Sequence, residues 1–74
     1  MKCQKCKRNY PDRLINNGNF NGEWIDCCPI CALKMRNEIH GLPPETPFNG
    51  EIAQGMYDEA VAYAKKHGYA EVAP

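Results

Sequence analysis

The chain has no serine, only two histidines and no net charge at neutral pH. Without serine there is no serine nucleophile, and neither histidine stands at a suggestive spacing from a carboxylate that could orient it as a base. The six glycines do not gather into a loop able to cradle phosphate. No catalytic constellation remains, so an enzyme is not expected. No stretch approaches the ~20 apolar residues that span a bilayer. The opening Met1-Lys2-Cys3-Gln4-Lys5 also lacks the apolar run of a secretory signal. These absences lead to the expectation of a soluble, cytoplasmic protein with no membrane partner.

What the chain has in excess is cysteine, five in 74 residues. A chain this short is marginal on a hydrophobic core alone and needs a staple. An odd cysteine count without a secretory signal argues against a disulfide framework and for thiolates on a metal in a reducing compartment. Cys3-Gln4-Lys5-Cys6 and Cys28-Pro29-Ile30-Cys31 are two C-x2-C pairs separated by 21 residues. That pattern can set four thiolates at the corners of one tetrahedron, the arrangement structural zinc prefers. Cys28 completes the second pair at the shorter spacing, which lets both sulfurs sit at a helix N-terminus where amides and the helix dipole favour thiolate. Cys27 is left as a small buried hydrophobe under a hairpin, with a substitute ligand or a redox-sensitive thiol as the alternative. The expected site is therefore Cys3, Cys6, Cys28 and Cys31 holding one zinc ion per chain. Four cysteines leave no coordination position for water, and no hydrolytic chemistry follows.

The charges are unevenly spread. Residues 1–22 carry Lys2, Lys5, Lys7, Arg8 and Arg13 against Asp12, a balance of +4, while residues 42–74 carry −3. Four thiolates around one divalent ion add −2, so the basic segment surrounds an anionic cluster, and its lysines can stabilise the thiolate form. The same charges, with Trp24, Tyr10 and Phe20, could instead make a stacking, phosphate-contacting face. Usual burial tendencies favour a small core under the hairpin, with Trp24 and Tyr10 shielding the metal.

Along the chain, Cys3 to Tyr10 reads as a knuckle ended by Pro11-Asp12. Strands are expected near 13–16 and 23–26. Between them lie two Asn-Gly pairs, Asn17-Gly18 and Asn21-Gly22, which cannot both be the tip of one simple hairpin. An irregular loop that includes Phe20 is expected there. Pro29 suits the first position of a helix over about 29–40, closed by Gly41 and blocked by Pro43-Pro44. Asn37 interrupts its apolar side of Ile30, Leu33, Met35 and Ile39. Leu42 to Gly50, with three prolines, is a stiff connector. Thr46 or Asn49 could cap a second helix over Glu51 to His67, with Gly68 as its stop. There Ile52, Met56, Ala60 and Ala64 recur at four-residue spacing as a core-facing stripe. Tyr69 to Pro74 is a tail that packs back through Tyr69 and Val72 or frays. His40 and His67 fall at helix ends, where the dipole favours histidine.

A knuckle pair, a hairpin and a second pair opening a helix resembles the treble-clef zinc finger over roughly Cys3 to Gly41. With Cys28-x2-Cys31 running straight into Ala32-Leu33-Lys34-Met35, the segment looks most like the zinc-binding domain at the front of the ClpX unfoldase. It is also similar to the zinc fingers of DksA/TraR-type regulators. Those resemblances imply a metal-stabilised platform for protein contacts with Cys3, Cys6, Cys28 and Cys31 as ligands. Lys7 departs from them, standing where many such knuckles carry glycine. An HNH-type nuclease would need a catalytic histidine beside the hairpin, and residues 7–26 contain none. Tyr10 after the first pair, and Trp24 and Lys34 around the second, also resemble a rubredoxin, which implies one iron and electron transfer. Lys7 and Ala32 in place of glycine, and the helix-forming run after Cys31, speak against it.

The expected fold is a small metal-stabilised α+β treble clef over residues 1–42, a connector over 43–50 and a C-terminal helix over 51–74, packed as one compact domain. The expected function is a non-enzymatic protein-interaction or regulatory adaptor. Nucleic-acid binding through the basic segment is the alternative, and a homodimer would cover any apolar surface that 74 residues cannot bury.

Overall fold

The first ten residues fold back on themselves. In the computed structural model, which describes residues 1–69, Lys2 bridges Asn9 in antiparallel fashion. Inside that bridge, Cys3 N–H donates to Arg8 O at 3.0 Å and Lys7 N–H to Cys3 O at 2.9 Å. Lys7 takes up the left-handed turn this loop needs, with φ +64°, a conformation that L side chains other than Asn and Asp rarely adopt.

Where a strand was expected at 13–16, the chain forms a short 3-10 turn, Asp12–Leu14. Proline's fixed φ starts the turn, and Leu14 N–H closes onto Pro11 O at 2.8 Å. The turn puts Leu14 in the core, 1% exposed. Strand β1 then runs Asn16–Phe20 and pairs antiparallel with β2, Glu23–Cys27, in a register from Asn16↔Cys27 to Phe20↔Glu23. The connection is not the irregular loop expected. It is a two-residue turn at Asn21-Gly22, both at positive φ, 56° and 93°, as a type I′ turn demands. The other Asn-Gly pair lies within β1. Asn17 Nδ2 donates to Asp26 Oδ1 across the strands at 2.8 Å. The Phe20 ring lies over Gly18 so closely that a Cβ there would come within 2.7 Å of it. Gly18 makes room for an aromatic ring rather than for a turn.

This register decides the fate of Trp24. Side chains alternate between the faces of a sheet, so Phe20, Ile25 and Cys27 share the face packed on the core, and Trp24 joins Asn17, Asn19 and Asp26 on the other. Trp24 is 68% exposed and does not shield the cysteines, whereas Tyr10 is buried as expected.

Helix α1, Pro29–Ile39, begins at once after β2, with extended Cys28 as its N-cap and Pro29 in the first turn. It buries Ile30, Leu33 and Asn37. Gly41 at φ +68° ends it. Gly41 N–H bonds Glu38 O and Leu42 N–H bonds Asn37 O, the paired bonds of a Schellman motif. Asn37, an interruption in the apolar pattern, organises the connector beyond the helix. It has no exposed surface. Its Nδ2 donates to Pro44 O and Thr46 O, both at 3.0 Å, while its Oδ1 accepts from Arg36 Nη2 at 2.6 Å. Arg36 also donates to Thr46 O and Pro47 O and lies against the Phe48 ring. The proline-rich connector cannot form backbone ladders, so these side chains satisfy its carbonyls instead.

Helix α2, Glu51–Lys66, packs on α1. Its N-cap is Gly50 rather than Thr46 or Asn49, because the Thr46 hydroxyl is engaged with Pro43 O. Gln54 Oε1 reaches back to Phe48 N–H at 3.1 Å. Ala60 and Ala64 are fully buried, and Arg13 forms an ion pair with Glu59. Ile52 is not part of the buried stripe, being 84% exposed. At 3.6 residues per turn, positions four apart drift by about 40°, which carries Ile52 roughly 80° around from Ala60. Gly68 at φ +70° closes a second Schellman motif that directs Tyr69 back onto the helix. Val72, expected to pack with Tyr69, lies outside the described residues. Among the described residues no helix is long and apolar enough to cross a membrane.

Replacing Asn37 with leucine would extend the apolar stripe but strand the Pro44 and Thr46 carbonyls. Asn37→Leu is expected to destabilise the metal-loaded protein by about 2 kcal/mol, read from urea unfolding midpoints. An unchanged midpoint would show that the connector does not depend on this hub.

Candidate metal centre

Two pieces of local structure carry the four cysteines. Cys3 and Cys6 sit in the loop closed by the Lys2–Asn9 bridge, and Cys28 and Cys31 in the corner where β2 becomes α1. A clasp joins the pieces through groups that have nothing to do with sulfur. Gln4 N–H donates to Asp26 O at 2.8 Å, and Asp26 N–H donates to Gln4 Oε1 at 2.6 Å. The hairpin thus works as a spacer whose end is tied to the middle of the first cysteine pair.

The four sulfurs of Cys3, Cys6, Cys28 and Cys31 all lie within 4.8 Å of one another. A tetrahedral ion with metal–sulfur bonds of about 2.3 Å has sulfur–sulfur edges of about 3.8 Å. The cluster therefore lies close enough to hold a metal ion, needing a contraction of at most about an ångström. Cys3 and Cys28 have no exposed surface, and Cys6 and Cys31 are half-buried. A metal bound to all four thiolates would have a complete shell with no open position.

The electrostatics put the charge of the cluster on Cys28. The Cys31 thiol donates to Cys28, and with the Cys31 backbone N–H and the thiols of Cys3 and Cys6 it lowers Cys28 to about 5, against the opposing effect of burial. Cys28 is the member of the pair that holds the charge, because an amide in the first turn of α1 is directed at its sulfur. Cys31 is raised correspondingly, first by its bond to Cys28 and then by burial. Cys6 is raised by burial and by the charge on Cys28. Cys6, Cys28 and Cys31 share a cavity of about 250 Å³ with Tyr10, and Lys5, Arg8 and Lys34 stand around it. Those three cations are placed to offset the negative charge of a metal–thiolate cluster.

Cys27 is 1% exposed but is not part of the group. It is the last residue of β2, opposite Asn16 on the face that looks into the core, and burial pushes its thiol up to about 12. The strand-to-helix corner turns its neighbour Cys28 the other way, toward the loop. His40 and His67 are C-caps of α1 and α2 and do not join the cluster. Gln4 was missed as a contributor to the site's frame, since a glutamine inside a C-x2-C pair carries no signal of a cross-chain clasp; Tyr69, expected to pack back onto the domain, does so.

No protein-family model, curated protein or solved structure matches this chain. The description of the centre rests on its own geometry.

Two results are expected. Cys28→Ser should abolish stoichiometric metal uptake and Cys27→Ser should preserve it, as measured by metal-to-protein ratio after desalting. The reverse outcome would move the site by one residue. Metal uptake near neutral pH should also release fewer than four protons per chain, although four thiols lie close enough to bind, because Cys28 is already ionised above pH ~5. Its depressed value means that this preformed thiolate is present at neutral pH and is lost as pH falls through about 5. Calorimetry in buffers of different ionisation enthalpy counts the protons, and a value of four would place the Cys28 proton back on sulfur.

Proposed function

We propose that the chain is a treble-clef zinc finger with one structural zinc per chain on Cys3, Cys6, Cys28 and Cys31. In this reading residues 1–42 are the zinc module, 43–50 the connector and 51–74 a helix packed on it, together one domain. The observation that carries the proposal is the closure of four thiol sulfurs to within 4.8 Å, although 24 residues intervene between Cys3 and Cys28. Its order of knuckle, hairpin and helix supports the treble-clef assignment. Lys7 supplies the left-handed turn without glycine, so the missing glycine does not by itself separate zinc from a rubredoxin-like iron. Helix α1 starting between Cys28 and Cys31 is what favours zinc.

The role we assign is non-enzymatic: a cytoplasmic adaptor or regulatory module that meets another protein. Support comes from Trp24, a large aromatic left 68% exposed on the polar face of the hairpin, since exposed tryptophan is enriched among interface anchors. The nucleic-acid alternative draws on the basic residues of 2–13, of which Lys5 and Arg8 line the cysteine cavity and Arg13 pairs with Glu59.

Native mass spectrometry with elemental analysis of freshly purified protein tests the metal. One zinc per chain, with loss of fold on chelation, is the expected result; iron with a visible absorption band, or no metal at all, overturns it. Titration with labelled oligonucleotides tests the alternative, because phosphate contacts weaken steeply with salt and the adaptor reading expects no such binding.

A further inference from the structure

The loop that carries Cys3 and Cys6 is held from two sides. On one side are the sulfurs. On the other are Tyr63, in the last turns of α2, and Tyr69, just beyond the helix, which between them reach Arg8, Asn9 and Tyr10. The Tyr10 ring, 3% exposed, lines the cysteine cavity and meets Tyr63 at 5.5 Å and Tyr69 at 5.7 Å between centroids, the latter edge-on. Tyr69 Oη donates to Asn9 O at 2.7 Å, across 60 residues of chain. The Arg8 guanidinium lies 5.3 Å from the centre of the Tyr69 ring. The same residues close the cysteine loop from within, through Cys3 N–H to Arg8 O and the Lys2–Asn9 bridge. Tyr69 itself is aimed by the turn at Gly68, whose backbone bonds return it to Ala64. The cysteine loop therefore cannot open without parting from these rings.

We propose that the end of α2 and the turn after it form a latch on the metal centre: docking of Tyr63 and Tyr69 on residues 8–10 and retention of metal by the four cysteines form one coupled equilibrium. The inference rests on the metal reading above and adds a regulation to it. Loss of metal loosens the loop and frees the face that bears Tyr63, Ala60 and Ala64. By reciprocity, whatever captures that face lowers the affinity for metal by the same factor.

The test uses the full chain loaded with zinc and a chromophoric chelator that competes for it. Tyr69→Phe removes one hydroxyl-to-carbonyl bond and should weaken zinc retention about fivefold. Tyr63→Ala removes a ring contact and its burial and should weaken it about tenfold or more. Ile52→Ala, at the exposed start of the same helix, should retain zinc as the parent does. Amide exchange over 60–66 in the zinc-loaded variants separates unlatching from global loss of fold, because only the latch end should gain exchange while α1 stays protected. Retention at the parent value in both tyrosine variants overturns the latch and leaves the zinc reading standing. A chain that takes up no metal overturns both.

Discussion

Thiol groups crowded within 4.8 Å of one another cannot all ionise in a part-buried pocket, since each new charge raises the cost of the next. A bound cation removes that penalty, and most of the backbone is arranged around bringing those sulfurs to it. The hairpin is long enough to carry the chain away from Cys6 and back to Cys28. The Gln4–Asp26 clasp sets where it returns. Pro29 turns the strand into a helix at the one residue where the cysteine must face the loop rather than the core. Cys27 and Cys28 differ by one position and point into different environments, because strand alternation governs the first and the helix corner the second.

The parts legible in the sequence were those set by local rules. Cysteine spacing identified four side chains that the fold does bring together. Proline and glycine bracketed α1, and glycine the end of α2, to within a residue, because helix ends are decided by backbone conformations that few residue types allow. What failed depended on partners. Asn17-Gly18 and Asn21-Gly22 are equivalent as dipeptides, and only the packing of Phe20 over Gly18 tells which one turns. With the turn left as an irregular loop the register stays open, and register decides whether Trp24 faces the core or water. Ile52 was misplaced for a related reason, since a four-residue repeat follows a helix face only over two turns or so before it drifts away.

Asn37 shows the limit of periodicity more sharply. A polar residue in an apolar stripe reads as a flaw, yet burying it costs little when each of its groups finds a partner. Here the partners are the carbonyls of a segment too rich in proline to satisfy them otherwise. Its amide and the neighbouring Arg36 give the connector the hydrogen bonds that a sheet or helix would have given it. No pattern in the chain announces this, because the acceptors are backbone atoms and backbone atoms look alike in a sequence.

Among the described residues the buried aliphatic side chains are few: Leu14, Ile30 and Leu33 are the large ones, with two alanines from α2. So small a core leaves order to come from separate sources: the cysteine cluster at one end, the Asn37 hub in the last turn of α1, and the tyrosine contacts that join α2 and the turn after it to the cysteine loop. These sources are not interchangeable. The hub holds the connector without touching the cysteines, so it can keep α1 and the start of α2 in register whatever happens at the metal. The tyrosines touch the loop directly, so they share its fate. A chain built this way should lose its order in parts rather than all at once, and under the proposed coupling the part that goes with the metal is the end of α2 farthest from the hub.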